Sequence, residues 1–202
     1  MALVFPLAAD FFAGLPVSSC SLDLGEAMQV SGRTAGGSVL TAGLGARLWQ
    51  GSVNLTPMTA RQAEAVRARL NVLREPGRTL LVTPYPVDRP AAGATTGLTI
   101  AAISTNSREM RLSGGTLEPG DGLSFTYGTN PIRYAFHRVV ANNGGLLEVT
   151  PNIRPGAAVG AAVRVVQPWF KALIVPGSVN AGTAQPGDLI TGISFDIQQT
   201  LR

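Results

Sequence analysis

Five Pro-Gly dipeptides, at 76–77, 119–120, 155–156, 176–177 and 186–187, constrain this chain more than any other feature. Each suits the centre of a type II turn, where Pro presets φ and Gly accepts a positive φ without steric cost. Their spacings of 43, 36, 21 and 10 residues are irregular, so they punctuate the chain and do not mark a solenoid repeat. Short apolar segments lie between them, which is the pattern of a β-rich protein. The 24 Gly and 14 Pro of 202 residues extend that punctuation well beyond the usual share of about one residue in eight.

Charge is scarce, at 14% of residues against about 25% in ordinary soluble domains. With 45% apolar residues the chain can build a sizeable core, in one large or two small domains. His137 and Cys20 are the only residues of their types. That excludes a disulfide within the chain, Cys-rich zinc sites and two-His metal motifs. The net charge of +4 comes from cations that are all Arg except Lys171 and that never form a run of three. Such scatter, with 6% aromatics, speaks against sequence-specific nucleic-acid binding, which concentrates charge on one face with aromatics nearby.

The start of the chain is apolar from Met1 to Ala9, and Val17-Ser18-Ser19-Cys20 faintly resembles a lipoprotein cleavage site. No Lys or Arg precedes the apolar part, and Pro6 and Asp10 interrupt it, so a cleaved leader is not expected. No uncharged apolar stretch reaches the ~18 residues that span a bilayer, and no membrane insertion is expected. The reading is a chain made in a reducing cytoplasm and left unprocessed, with Cys20 a small half-buried apolar residue.

One segment reads as a helix. Thr59-Ala60-Arg61-Gln62 fits a capping box, and Ala63, Val66, Leu70 and Leu73 follow at helical spacing until Pro76-Gly77. Its apolar stripe needs a sheet to lie on. Before it, Trp49, Gly51, Val53 and Leu55 alternate with polar residues; after it, Thr79–Thr83 is a short apolar strand. At the far end Ile193, Phe195, Ile197 and Leu201 alternate with polar partners, interrupted only by Gln199. Trp49, Val53, Leu55, Val66, Leu70 and Phe195 are the expected core anchors of this unit.

Six further segments, Leu98–Ile103, Glu109–Leu112, Gly122–Tyr127, Arg133–Val140, Leu146–Pro151 and Ala161–Val166, predict a second β unit, a small barrel or sandwich. Asn142-Asn143-Gly144-Gly145 is its most explicit hairpin turn. Pro84–Gly97 would lead into it, and Phe170–Val175 with the final strand would lead back to the first unit. Gly25–Gly45 stands apart, with six glycines and one charge pair, Glu26 and Arg33. A linker, a phosphate-cradling loop and a hairpin arm compete for it. No Gly-x-x-x-x-Gly-Lys-Ser/Thr occurs, and Val30 before the Arg33–Ser38 turn with Val39, Leu40 and Leu44 after it favour a hairpin of weakly specified register.

Chemistry is sparse. His137 sits in a strand-like run, Tyr134-Ala135-Phe136-His137-Arg138-Val139-Val140, with no Gly-x-Ser-x-Gly elbow anywhere. A hydrogen-bonded histidine in a barrel wall is the favoured reading over a catalytic base. The closest acids of the second unit, Glu118 and Asp121, flank a Pro-Gly turn, where Asp121 is expected to cap the turn by accepting a backbone hydrogen bond. Trp49 and Trp169 raise a carbohydrate-binding module for host recognition as an alternative. Trp49, however, is in phase with Val53 and Leu55, and Trp169 lies between Pro168 and Phe170 in a connection. The chain is thus expected to be no enzyme, with no cofactor and no metal. Its low charge suits broad contact surfaces, whose cores are depleted in charge.

The glycine-rich arm before Ala46-Arg47-Leu48-Trp49-Gln50-Gly51, the strand-helix-strand through Leu80-Leu81-Val82, the unit with Pro119-Gly120-Asp121 to Tyr127 and Phe136-His137-Arg138-Val139, and the returning strand at Leu201-Arg202 together form a pattern. In that pattern the chain resembles the distal tail proteins of long-tailed bacteriophages and related gene-transfer particles, also called upper baseplate or tail-tip ring proteins. The resemblance spans most of the chain. It implies a mainly β (β-rich α+β) fold: a tail-tube-like β-sandwich or split barrel with one packed helix, from 1–85 and 177–202, carrying an inserted peripheral β domain at 86–176. It implies a homohexameric ring at the virion's tail tip, assembled in the host cytoplasm, that joins the tail-tube protein to the baseplate hub protein. DNA would pass through its lumen without sequence recognition. A tail-tube or tail-terminator subunit is the alternative within that class. Gly32, Arg33, Gly36, Gly37, Leu40 and Leu44 are the candidate inter-subunit arm.

Overall fold

The computed structural model describes residues 3–84, 90–91, 93 and 95–201. Strand outweighs helix, 46% to 10%, and the mainly β expectation holds. In chain order the elements are α1 (Ala9–Ala13), β1 (Val17–Leu24), β2 (Met28–Arg33), β3 (Val39–Gly43), β4 (Trp49–Leu55), β5 (Met58–Thr59), α2 (Ala60–Leu73) and β6 (Leu80–Val82). Next come β7 (Thr99–Ile103), β8 (Glu109–Ser113), β9 (Gly122–Tyr127), β10 (Arg133–Asn143), β11 (Leu146–Thr150) and β12 (Val163–Arg164). The chain finishes with β13 (Phe170–Ile174), β14 (Asn180–Gln185) and β15 (Leu189–Gln199).

The first sheet runs β1-β4-β15-β13-β6, with β14 and β5 also on β15. Its central strand β15 is long enough to serve two sets of neighbours. Residues 189–194 pair with β14, and residues 197–199 pair with β13. The alternation read in the sequence is what buries Ile193, Phe195 and Ile197 on one face. Gln199, the residue that breaks the alternation, is also buried, and its Oε1 accepts the backbone N–H of Trp49 at 3.3 Å. A polar side chain there satisfies a donor that would otherwise be orphaned in the core. Gly51 is fixed by a close approach: a Cβ there would lie 1.9 Å from the Ser21 carbonyl oxygen of β1.

Helix α2 lies on this sheet. Thr59 accepts from the Gln62 backbone and Gln62 reaches back to Thr59, which completes the capping box. Ala63, Leu70 and Leu73 are buried, while Val66 is half-buried against the same core. Arg67 Nε donates to Ala181 O at 2.7 Å and ties the helix to β14. Two elements go beyond the sequence reading. Helix α1 buries Phe11 and Phe12, and β1 pairs with β4 throughout, Leu24 opposite Trp49 and Val17 opposite Leu55.

The second sheet runs β12-β9-β10-β11-β8-β7, all antiparallel. It closes into a small barrel, because Ile100 N donates to Ala161 O at 3.0 Å and Val163 N to Leu98 O at 2.9 Å, joining β7 to β12. Its own core includes Ile100, Met110, Leu123, Phe125, Val139 and Leu147. The five Pro-Gly glycines all have φ between 77° and 98°, as type II turns require. Gly144 and Gly145 form the two-residue turn of the β10–β11 hairpin.

The expected boundary at 85/86 falls outside the described residues. The far boundary needs correction: β13, within the stretch 86–176 assigned to the second unit, is hydrogen-bonded between β15 and β6. Phe170, Ala172 and Ile174 point into the first core, and the barrel's strands end at Arg164. An apolar side chain of the barrel is buried in the first core. Phe136, on barrel strand β10, turns away from the barrel into the first core, with its ring 5.0 Å from Trp49 and 5.6 Å from Phe170. The Trp49 indole N–H donates to Phe136 O at 3.1 Å.

Candidate functional site

The most unusual surface is the glycine-rich segment. Residues 28–43 fold as a two-stranded ribbon, β2 on β3, which among the described residues is hydrogen-bonded to no strand of either sheet. The ribbon continues the β1–β4 pair outward: Gly25 N donates to Leu48 O at 2.9 Å, and Leu44 N to Ala27 O at 2.8 Å. Arg47 clamps the root, with Nε on Gly25 O at 3.2 Å and Nη2 on Leu24 O at 3.3 Å. At the tip Thr34 N donates to Ser38 O, and Thr34 Oγ1 accepts from Ser38 N at 3.1 Å, with Gly36 and Gly37 in the turn.

Register decides what the ribbon presents. Residues directly opposite share a face. Met28 faces Gly43 and Val30 faces Thr41; the register then shifts at Ser31, so that Gly32 faces Leu40 and Arg33 faces Val39. Gly32 has φ 153° beside this bulge, a conformation costly for other residues. One face therefore carries Met28, Val30 and Val39 with Thr41 and Arg33, and the other carries Leu40, Ala42 and Leu44 with Gln29. The five large apolar side chains among these are between 48% and 67% exposed. A ribbon covered on one face by its own domain would bury half of them; this one buries neither set. The sequence reading identified Arg33, Leu40 and Leu44 but did not include Met28, whose place on the other face follows only from the register.

The expected core anchors Trp49, Val53, Leu55, Leu70 and Phe195 are all buried. His137 lies inside the barrel at 2% exposure, stacked on Phe125 at 5.5 Å. Its Nδ1 is 2.7 Å from Pro151 O. A carbonyl can only accept, so Nδ1 carries a proton, while Nε2 is buried without a hydrogen-bond partner among the described residues. Burial pushes its pKa down to about 4, and the charge of Arg154 acts in the same direction against the Pro151 hydrogen bond. A base sealed from solvent in this way has no path to a substrate proton in this conformation.

Asp121 is buried, and its carboxylate accepts from Glu118 N and Ala91 N, each at 2.9 Å. It caps its turn and also holds the segment leading into the barrel. Trp169 is half-buried, edge-on to Tyr134 at 5.2 Å with the Arg164 guanidinium 5.8 Å from its ring. Its aromatic surface is thus engaged within the chain. Cys20 is half-buried in β1, and burial pushes its thiol pKa up, away from the reactive thiolate. Among the described residues no group of three or more His, Cys, Asp or Glu is placed to hold a metal ion, and no helix is long and apolar enough to cross a membrane. No protein-family model matches this chain, and a search of curated proteins found no significant match.

Proposed function

We propose that this protein is a structural subunit of a closed ring in the tail tip of a long-tailed phage or gene-transfer particle. The β2–β3 ribbon is the clasp that each copy lays on the next. The observation that carries the reading is the ribbon's two exposed apolar faces. Contiguous apolar surface of this kind on a monomer marks an interaction site, and a ribbon apolar on both sides is fully covered only when it lies between two layers. A head-to-tail contact repeated about an axis supplies such layers and closes into a ring. The partners in this reading are further copies of the chain, six in the full ring, with a tail-tube protein above and a hub protein below.

DNA passes through such a ring as cargo. A scattered net charge of +4 fits weak, salt-sensitive contact and no sequence recognition. No catalysis belongs to this role.

The test is assembly. Deleting Gly32–Ser38 removes the ribbon's distal half while leaving the β1–β4 pair and the Arg47 clamp in place. The wild-type chain is expected to form rings by mass photometry and negative-stain microscopy, and the deletion to stay a folded monomer. Rings from the deletion variant would overturn the clasp. A wild-type chain that remains monomeric even with tail-tube protein added would overturn the ring.

A further inference from the structure

A cleft of about 370 Å³ lies where the root of the ribbon meets the barrel. Three arginines line it: Arg47 from the segment between β3 and β4, Arg108 from the turn before β8, and Arg154 from the segment after β11. Among the described residues the rest of the lining is neutral, with Thr150 and Asn152 and no Asp or Glu. We propose that this cleft is a binding site for a phosphate group.

Two of the guanidiniums are held in place by backbone carbonyls. Arg47 donates to Gly25 O and Leu24 O, and Arg154 Nη2 donates to Arg47 O at 3.4 Å. These bonds use only part of the five N–H donors that each guanidinium carries. The remaining donors and three arginines share one recess with no carboxylate among its described lining residues. Like charges held together in this way repel one another, and an anion placed among them would relieve that repulsion. Burial is the main cause of the lowered basicity of His137, and the charge of Arg154 adds to it from the cleft side.

Charge count selects the ligand. A carboxylate would cancel one of the three charges, whereas a phosphate brings up to two and offers the tetrahedral oxygens that guanidinium forks grip in pairs. Thr150 and Asn152 can add neutral hydrogen bonds. The cleft joins both units, so an occupant would also tie the ribbon root to the barrel. The phosphate could be free or part of a nucleic-acid backbone, and the experiment separates these sources. Phosphate binding in this cleft belongs to the single chain and does not require ring formation.

The test is titration of the full-length protein with inorganic phosphate, followed by calorimetry and by backbone amide NMR. Saturable binding is expected, with shifts at Thr150–Arg154 and Ala46–Arg47. Arg108→Gln, at an exposed side chain, should weaken it about tenfold through loss of a charge-assisted hydrogen bond. Arg133→Gln, exposed on β10 outside the cleft, should leave it unchanged. If Arg108→Gln does not fold, the amide shifts of the wild-type protein decide alone. No saturable binding, shifts centred elsewhere, or equal loss in Arg133→Gln would each overturn the site. A short thymidine oligonucleotide is the second arm. Competition with phosphate would assign the site to nucleic-acid phosphates, and its absence would assign it to the free anion.

Discussion

At the scale of single residues, Gln199 and Asp121 are buried polar side chains that meet defined needs, whereas Tyr127 Oη and His137 Nε2 are buried with no hydrogen-bond partner among the described residues. Gln199 meets the Trp49 backbone donor, and Asp121 meets Glu118 and Ala91. His137 is the costlier case, because its imidazole must stay neutral. Above pH 6.5 the folded and unfolded chains both hold it neutral. Between 6.5 and about 4 the unfolded chain takes up a proton that the folded chain refuses, so stability falls as pH falls. Below about 4 both states are protonated and the slope levels off. The full effect is up to about 3 kcal/mol. Urea unfolding at pH 7 and pH 4.5 should show this loss in the wild type and a smaller one in His137→Gln. An identical loss in both would remove His137 as its source.

Individual residues were also the scale at which the sequence was most legible, wherever the signal was local. The Thr59–Gln62 capping box, the Pro-Gly turns and the in-phase Trp49, Val53 and Leu55 depend on neighbours a few positions away. Arg47, Arg108 and Arg154 share a cleft across two units. No periodicity marks such a meeting, and only the folded chain brings it about.

Among elements, α2 was readable because capping and a 3.6-residue apolar period agree over its length. Strand β1 was not, although Cys20, Leu22 and Leu24 alternate with Ser19, Ser21 and Asp23; it is an edge strand, only partly buried, and the faint cleavage-site pattern at Val17–Cys20 overlies its alternation. The ribbon was legible as a hairpin. Its isolation was not, since that depends on which residues of the sheets find no place for it. Its two faces make a paired prediction. Val30→Asp alters one face and Leu40→Asp the other, and both sites are exposed, so monomer stability should change by no more than about 0.5 kcal/mol. Each substitution alone should abolish rings in mass photometry if both faces are covered. Rings that survive one of them would mean that the ribbon lies against a neighbour on a single face.

The molecule as a whole is two cores riveted through Trp49 and Phe136, with Arg138 over the Trp49 ring and Arg154 on Arg47 O as further ties. Trp49 and Phe136 meet by ring contact and by the indole hydrogen bond to Phe136 O. Truncating Trp49 to Ala should cost about 3–5 kcal/mol, as for other buried aromatics. In a double-mutant cycle with Phe136→Ala the two losses should fall short of additivity by at least about 0.5 kcal/mol. Additive losses would mean that the cores are energetically separate.

Val82 and Phe170 are paired neighbours across β6 and β13, so the chain leaves the first sheet and rejoins it at adjacent positions. Everything between them is, in evolutionary terms, a cassette whose ends are already side by side, and an exchange of its barrel for another module would leave the sheet's strand order intact. The exchange has one condition. The incoming module must bring its own large apolar plug and its own carbonyl to the Trp49 pocket, or the host sheet is left with an open socket.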